Sequence, residues 1–277
     1  MHHVGTLAEA PSQAGVYAGR VDGYTRFLLV DRAAGSVHQT VAVAELAPGG
    51  RVQTHVHAYE EAIYVLEGTL ALDVAGTREE LAADDYAFLQ AGVAHSLANR
   101  SEEPVRWYEL GAPQASVGFE DTTFQDGAAK AAGIEIPSRR GHFDAGELPV
   151  PSDTIGLAGF GSANVGGASL EMLIDREAGA SQFNLFVVEY APGGLIKEHD
   201  HPFEESFFFV AGEIEAVLDG TTYHLRAGDY CWSGVASMHA FRNRFDAPVR
   251  WIETQAPQPP SRHQARFRGD WERPLMG

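Results

Sequence analysis

The chain repeats itself at a fixed offset, and this repeat constrains the fold more than any other feature. Residues 45–114 align without a gap on residues 189–258, and about 27 of the 70 aligned pairs are identical. Self-similarity at such a period indicates two copies of one structural unit. For 277 residues, it predicts two domains, each large enough for its own hydrophobic core.

The boundaries of these domains follow from the repeat and from turn-forming residues. We predict an N-terminal domain over 1–137 and a C-terminal domain over 156–277, around the repeat cores given above. Glycine and proline residues are frequent between them, which indicates a linker over 138–155.

Short apolar and β-branched segments follow one another in both copies. They recur at roughly 8–12 residues, separated by glycine-containing breaks and without a strong helical period, which predicts an all-β barrel or sandwich. Pro48-Gly49-Gly50 is expected to end the strand at 41–46, and His2 and His3 are expected to fray.

Each copy carries His-x-His-x-x-x-Glu and then a histidine 34 positions after the glutamate. The eight residues are His55, His57, Glu61, His95, His199, His201, Glu205 and His239. Side chains two apart in a strand point the same way, so the two histidines of each pair share a face. Three imidazoles and one carboxylate suit a divalent transition metal, with about two positions left open for substrate. The adjacent Glu60 and Glu204 are expected to point the other way and to be solvated or salt-bridged.

Two further residues are candidates for catalysis. Lys197 precedes His199 by two residues and is expected on its face, where an inward lysine holds a carboxylate or donates a proton. The alternative is a lysine that reaches solvent at the strand end. Arg250 has Arg106 as its counterpart, which favours a structural role, although an inward arginine orients a carboxylate.

Composition excludes several functions. The formal net charge of −18 argues against nucleic acid and against an anionic membrane surface as partners. No apolar stretch reaches the roughly 18–20 residues of a membrane helix. Cys231 is the only cysteine, so an intrachain disulfide is impossible, and with no signal-peptide pattern we expect a cytoplasmic protein. We expect a small-molecule substrate, and exposed sheet edges leave a homo-oligomer open.

At this point the residues resemble a known family. The pattern Gly-x5-His-x-His-x3-Glu-x6-Gly, which begins at Gly49 and again at Gly193, resembles the first motif of the cupins. The second cupin motif is partial: His95 and His239 fit, whereas Asp84 and Ala236 stand where the motif has glycine. The resemblance implies two tandem double-stranded β-helix (jelly-roll) barrels, a bicupin.

Among bicupins, the length and layout resemble the ureidoglycine aminohydrolase group, which are manganese enzymes of purine breakdown. That group binds metal in the C-terminal barrel alone, whereas this chain has a complete ligand set in both halves. Two complete sets resemble instead the oxalate decarboxylases and some bicupin dioxygenases and isomerases.

The resemblance therefore implies a metalloenzyme that acts on a small polar metabolite by a manganese-dependent hydrolytic or proton-transfer reaction. The alternatives are an iron-dependent dioxygenase, a decarboxylase or isomerase of an oxo acid, and a non-catalytic sensor or storage bicupin. We expect Mn or Fe in each barrel, and the same ligands are compatible with Ni, Co, Cu and Zn. The second barrel is favoured as the main active site because the copies differ around the metal: Lys197 replaces Gln53, and Phe207 and Phe209 replace Ile63 and Val65. These two phenylalanines either form the wall of a pocket or fill the barrel.

Overall fold

A computed structural model of the chain describes residues 1–13, 16–74, 76–114, 121–127, 140–152, 164–260 and 264–268. This described part consists of strands and two short 3-10 helices, Leu7–Glu9 and Ala145–Glu147. None of its helices is long and apolar enough to cross a membrane.

Twenty strands make up the described part. The N-terminal half contains β1 (His2–Thr6), β2 (Val21–Val30), β3 (Thr40–His57), β4 (Glu60–Glu67), β5 (Thr69–Val74), β6 (Thr77–Ala82), β7 (Asp85–Leu89), β8 (His95–Ala98), β9 (Val105–Ala112) and β10 (Thr122–Phe124). The segment that leads into the second half contains β11 (Arg140–His142). The C-terminal half contains β12 (Val165–Ile174), β13 (Asn184–Asp200), β14 (Glu204–Ala211), β15 (Glu213–Leu218), β16 (Thr221–Arg226), β17 (Asp229–Ser233), β18 (His239–Arg242), β19 (Val249–Ala256) and β20 (Arg266–Phe267).

The two halves have the same topology. One sheet has the order β11-β7-β4-β9-β3-β8-β5-β6, with β2 and β10 also paired to β3. The other has the order β1-β17-β14-β19-β13-β18-β15-β16, with β12 and β20 also paired to β13. Each sheet is antiparallel and curls around its own core, which confirms the all-β class and two tandem double-stranded β-helix barrels.

The outermost strands are exchanged between the halves. The first strand of the chain, β1, pairs with β17 of the second sheet, from His2 opposite Ser233 to Thr6 opposite Asp229. Reciprocally, β11 pairs with β7 of the first sheet. The expectation that the N-terminal histidines fray is therefore wrong. The domain boundaries stay a prediction, although β11 lies in the described part of the expected linker, 140–152.

The longest strand of the first sheet runs past a turn-forming tripeptide. Pro48-Gly49-Gly50 was expected to end a strand, but β3 continues through it. Opposite β2 the pairing passes from Leu46 directly to Arg51, so the residues between them bulge outward while the ladder resumes. Gly49 has φ 72°, a conformation that glycine adopts without strain. The bulge carries the strand on to the histidines at its end.

Three apolar clusters fill the molecule. One lies inside each barrel, around Trp107 in the first and Trp251 in the second. The third joins the barrels and includes Tyr108, Phe183 and Phe208. Burial of each such large side chain contributes roughly 1.5–3 kcal/mol, so the two barrels are fixed against each other by a core of their own.

Candidate metal centres

The structure brings the four residues predicted as ligands in the first half together inside the barrel. His55 and His57 come from the end of β3, Glu61 from β4 and His95 from β8, and all four are buried. The ligand atoms of the three histidines lie within 4.8 Å of one another. Register explains this convergence, since His55 lies directly opposite His95.

The second half repeats the arrangement. His199 lies at the end of β13 and His201 directly follows that strand. His239 lies opposite His199 on β18, and Glu205 is the second residue of β14. These side chains are buried, and the ligand atoms of the histidines again lie within 4.8 Å of one another.

In the first centre, the Nδ1 atom of each histidine makes a hydrogen bond. His55 Nδ1 donates to the Gln53 carbonyl oxygen at 2.8 Å and His95 Nδ1 to the Val93 carbonyl oxygen at 3.0 Å. His57 Nδ1 lies 2.9 Å from Thr122 Oγ1 on β10, and this hydroxyl in turn donates to Asp121. Because Nδ1 carries the proton, Nε2 is left as the lone-pair donor.

The second centre has the same pattern. His199 Nδ1 donates to the Lys197 carbonyl oxygen at 2.7 Å and His239 Nδ1 to the Ser237 carbonyl oxygen at 3.0 Å. His201 Nδ1 donates to the carbonyl oxygen of Gln264, next to β20. All six imidazoles are therefore held in the tautomer in which metal-binding histidines present Nε2.

The innermost polar atoms lack ordinary partners. His95 Nε2 and Glu61 Oε2 lie 3.1 Å apart, yet both are buried without a hydrogen bond among the described residues. In the second centre, Glu205 Oε2 is likewise buried without one, 3.0 Å from His239 Nε2. Buried polar atoms are rarely left unpaired. Two ligands of one cation approach each other closely without hydrogen-bond geometry. The residues of both centres therefore fit a metal ion.

The protonation of the first centre also suits a cation. Burial, together with the other two histidines, lowers the pKa of His55 to about 2. Burial lowers the pKa of His57 to about 4, although Glu61 opposes the shift. Burial also acts to lower the pKa of His95, but Glu61 raises it overall. The lowered pKa values keep His55 and His57 neutral, which is the form that a metal ion requires.

Lys197 does not reach the second centre. A register shift between Ile196 and His199 interrupts the alternation of β13, and Ile196 rather than Lys197 lines the inner cavity. The Lys197 side chain is exposed. The expectation that it shares the face of His199 is therefore wrong, because one bulge moves the preceding residues to the other face.

Arg250 also lies away from the centre. Its guanidinium binds the Glu189 carboxylate at 2.6 Å and covers the ring of Phe143. Its neighbour Trp251 points inward instead, as strand alternation requires. The structure gives Arg250 contacts on the outer face, so the alternative of an inward arginine that orients a carboxylate is not found.

A cavity adjoins the second centre. Its volume is about 30 Å³, which is room for very few water molecules. The cavity is therefore narrow. Besides the four expected ligands, its lining consists of Leu170, Phe186, Val188, Tyr190, Ile196, Phe207, Phe241, Trp251, Glu253 and Gln255.

Sequence reasoning missed a second buried carboxylate behind each ligand glutamate. Glu253 lines the cavity and accepts a hydrogen bond from Trp251 Nε1 at 2.9 Å. Burial and the nearby Glu205 carboxylate raise the pKa of Glu253 well above its usual range, which favours the protonated acid. The available signal was a glutamate at the same inward position of an apolar strand in both copies, Glu109 and Glu253.

In the first barrel, the corresponding glutamate, Glu109, forms an ion pair with an arginine side chain. Arg26 on β2 binds Glu109 at 2.8 Å, and the hydroxyl of Tyr24 donates to the same carboxylate at 3.3 Å. Burial raises the pKa of Glu109, and Arg26 opposes this shift. In the second barrel, Leu170 occupies the position of Arg26, since Arg26 pairs with Ala44 and Leu170 with Val188, 144 residues later.

A short strand crosses the mouth of each barrel. Phe124 on β10 lies opposite His55, with ring centres 5.4 Å apart. Phe267 on β20 lies opposite His199, with ring centres 5.1 Å apart. Arg266 anchors the second of these strands through two hydrogen bonds to Asp200. Thr122 on β10 and Gln264, which lies just before β20, complete the histidine hydrogen bonds described above.

Comparison with known proteins shows that both centres lie in segments that match the same protein family. A family model described as "Cupin domain" matches residues 42–111 and 186–254, and each segment contains one complete set of four. Tetracenomycin polyketide synthase protein TcmJ of Streptomyces glaucescens is 33% identical over 107 residues, 37% of this chain and 72% of that protein. Quercetin 2,3-dioxygenase of Bacillus subtilis is 26% identical over 223 residues, 70% of this chain and 66% of that protein.

Solved structures share the fold. A variant of the oxalate decarboxylase of B. subtilis superposes with a TM-score of 0.69 at 14% identity, covering 97% of this chain and 80% of that one. Protein Ylba of Escherichia coli superposes with a TM-score of 0.67 at 16% identity, covering 92% and 90%. A further structure of the decarboxylase, with a TM-score of 0.67 at 14% identity and the same coverage as the first, concerns its Mn(II) centres. At these identities the likeness shows the fold alone.

Proposed function

Because the chain belongs to the cupin family and carries its domain twice, we propose that it is an enzyme with one divalent transition metal in each barrel. The ligands are His55, His57, Glu61 and His95 in the first centre. In the second they are His199, His201, Glu205 and His239. The second centre, which adjoins the cavity, binds and converts a small molecule.

One observation carries this proposal. In both centres the Nδ1 atom of every histidine donates to a protein oxygen, so that three Nε2 atoms are left to face one glutamate in a buried space. Histidines with a purely structural role would not all have to carry their proton on Nδ1. A bound ion supplies Lewis-acid stabilisation of negative charge that develops on substrate oxygen.

The donor set narrows the metal to a group of elements. Mixed nitrogen and oxygen ligands suit Mn and Fe, and are compatible with Co, Ni, Cu and Zn. The Mn(II) centres of a decarboxylase with the same fold support manganese. The relation to a dioxygenase over both barrels supports a metal that works with dioxygen.

Of the reaction classes, oxidation of an organic substrate by dioxygen has the best support at the second centre. Its cavity walls are mostly aromatic and aliphatic, and the described lining contains no lysine or arginine to hold a substrate carboxylate. Hydrolysis of a ureido acid is less well supported, because such a substrate brings polar groups that these walls do not pair. Decarboxylation remains the second candidate, on the strength of the fold likeness.

The first experiment is elemental analysis of protein purified without an affinity tag, together with the variants His55→Ala and His199→Ala. We expect about two metal equivalents per chain in the wild type and about one in each variant. The absence of metal from both barrels of correctly folded protein would contradict the proposal.

The second experiment separates the reaction classes. Oxygen uptake is measured with the Fe-loaded and the Mn-loaded protein on a panel of ring diols, oxo acids and ureido acids. Oxygen consumption in proportion to substrate loss supports a dioxygenase. Carbon dioxide release without net oxygen consumption supports the decarboxylase, ammonia release the hydrolase, and metal binding without any turnover a sensor or storage protein.

A further inference from the structure

A row of side chains across three strands of the second barrel ends at a ligand of the metal centre. Asn184 on β13 lies opposite Gln255 on β19, and Gln255 in turn lies opposite Glu205 on β14. Residues that pair directly across antiparallel strands share a face of the sheet, and their side chains are close enough to interact. Gln255 also lines the cavity next to this centre, so the row reaches the centre from inside the barrel.

Hydrogen bonds connect the members of this row. The Gln255 Nε2 atom donates to Glu205 Oε1 at 3.0 Å, and the Asn184 Nδ2 atom donates to Gln255 Oε1 at 3.4 Å. Because an ionised carboxylate only accepts hydrogen bonds, the amide nitrogen of Gln255 has to face Glu205, and the amide oxygen then faces Asn184. The carboxylate of Glu205 is therefore held by a side chain that is not itself a metal ligand.

The two ligand glutamates are turned differently toward their histidines. Glu205 Oε1 lies 3.3 Å from His201 Nε2, and Glu205 Oε2 lies 3.0 Å from His239 Nε2. In the first centre the same oxygen, Glu61 Oε2, lies 3.5 and 3.1 Å from the Nε2 atoms of the two matched histidines. The carboxylate that accepts the glutamine amide is thus the one that turns a different oxygen toward each histidine.

The first barrel has no counterpart of this glutamine. Its matched residues are Thr40, Gly111 and Glu61, in the same register across β3, β9 and β4. Glycine has no side chain that could donate, and a Cβ atom at Gly111 would lie 2.9 Å from the ring of Tyr59. The two barrels therefore share the pattern of four ligands but differ in what holds the glutamate.

We propose that Gln255 is a positioning residue of the second metal centre: its amide fixes the orientation of the Glu205 carboxylate and so strengthens the binding of a divalent metal there. Asn184 supports this role by holding the amide oxygen. The inference rests on the proposed function, because it needs a metal ion in the second barrel. A ligand that is already in place loses less conformational freedom when the metal binds, and loss of a hydrogen-bond partner of a ligand typically costs about 10–100-fold in metal affinity.

The test measures the Co(II) affinity and the visible spectrum of one centre at a time in the full-length chain. His55→Ala leaves the second centre and His199→Ala the first, and competition with a chelator under nitrogen gives each dissociation constant. In the His55→Ala background, Gln255→Met removes the donor but keeps the side-chain length, and Gln255→Ala removes both. We expect each to weaken Co(II) binding at least about tenfold and to shift the visible absorption bands, which report the coordination of the ion. Asn184→Ala should change both in the same direction, by less.

The matched control is the same substitution measured at the other centre. Gln255→Met in the His199→Ala background should leave the Co(II) affinity and the spectrum of the first centre unchanged, because Gly111 takes the place of the glutamine there. An equal loss of affinity at both centres would show a general disturbance of the fold and would contradict the inference.

The outcomes are separable. If no Co(II) spectrum develops at the second centre of folded protein, the proposed function fails. If Co(II) binds there but Gln255→Met leaves its affinity and spectrum unchanged, the inference is wrong while the metal centre stands. This includes a result in which only Gln255→Ala weakens binding, because side-chain bulk and not the amide would then be responsible. Asn184 is partly exposed, so Asn184→Ala decides the matter if neither variant of Gln255 folds, and an unchanged affinity and spectrum in it would then contradict the inference.

Discussion

At the scale of single residues, four of the six histidines donate Nδ1 to the carbonyl oxygen two positions earlier. The acceptors belong to Gln53, Val93, Lys197 and Ser237. The hydrogen bond is local, so the strand itself selects the tautomer. For Lys197 this means that its backbone, and not its ammonium group, serves the centre.

His55 should make the metal-free protein less stable as the pH falls from 7 to 5. Histidine in the unfolded chain titrates near pH 6.5, whereas His55 in the folded chain has a pKa of about 2. The unfolded state therefore binds more protons in this range, and stability rises with pH. His55 alone should account for roughly 2 kcal/mol at pH 5.

Urea unfolding of the metal-free wild type and of His55→Gln at several pH values measures this effect. The variant should lose less stability on acidification than the wild type. His224→Gln, which alters an exposed histidine on β16, is the matched control. Equal pH dependence in the wild type and His55→Gln would contradict the expectation.

At the scale of elements, the loops before β8 and β18 adopt the same turn from different residues. Gly92 has φ 80° and donates its N–H to the His57 carbonyl oxygen, and Ala236 has φ 60° and donates to the His201 carbonyl oxygen. The turn therefore ties each loop to a ligand strand. Ala236 stands where the family motif has glycine, and the turn forms nonetheless.

The conformation of this turn predicts opposite effects of two exchanges. Ala236→Gly should raise the free energy of unfolding by about 1 kcal/mol, since the left-handed conformation strains residues with a Cβ atom. Gly92→Ala should lower it by a similar amount, and strain alone would be responsible because a Cβ atom there meets nothing within 4 Å. Urea denaturation checks both. A destabilised Ala236→Gly would show that the alanine methyl group contributes packing instead.

At the scale of the whole molecule, two buried glutamates form hydrogen bonds across the boundary between the barrels. Glu204 accepts hydrogen bonds from Ser36 Oγ at 2.6 Å and from Val37 N at 2.9 Å, across the barrel boundary. Reciprocally, Glu60 accepts from Ser181 Oγ at 2.6 Å and from the backbone N–H groups of Ser181 and Gln182. Both glutamates are buried, so the expectation that they are solvated or salt-bridged at the surface is wrong.

Removal of either of these two glutamates should destabilise the whole protein. Glu204→Ala and Glu60→Ala should each lower the free energy of unfolding by about 2–3 kcal/mol, because charge-assisted hydrogen bonds are lost and buried donors are left unpaired. Glu102→Ala, at an exposed position, is the control. Chemical denaturation measures the effect, and a change no larger than that of the control would contradict it.

The sequence by itself determined the two-fold architecture, the all-β class and the convergence of eight side chains. These features depend on local pattern: strand alternation, turn residues, and one spacing repeated 144 positions later. An error in the boundary of any single strand does not disturb that spacing. The prediction of the two sets of four therefore did not require knowledge of which strands pair.

Only the tertiary structure decided what surrounds the centres. A bulge before His199 turns Lys197 outward, and pairing between β2 and β3 brings Arg26 to Glu109. Leu170 lines the corresponding space of the second barrel. These contacts join residues far apart in the chain, and a shift of one residue in register reverses which side chains point inward. The physical reason is that strand alternation predicts which side chains point inward only as far as the next bulge. The pairing of a buried carboxylate with a cation depends on which strands lie side by side, and the sequence pattern does not give this.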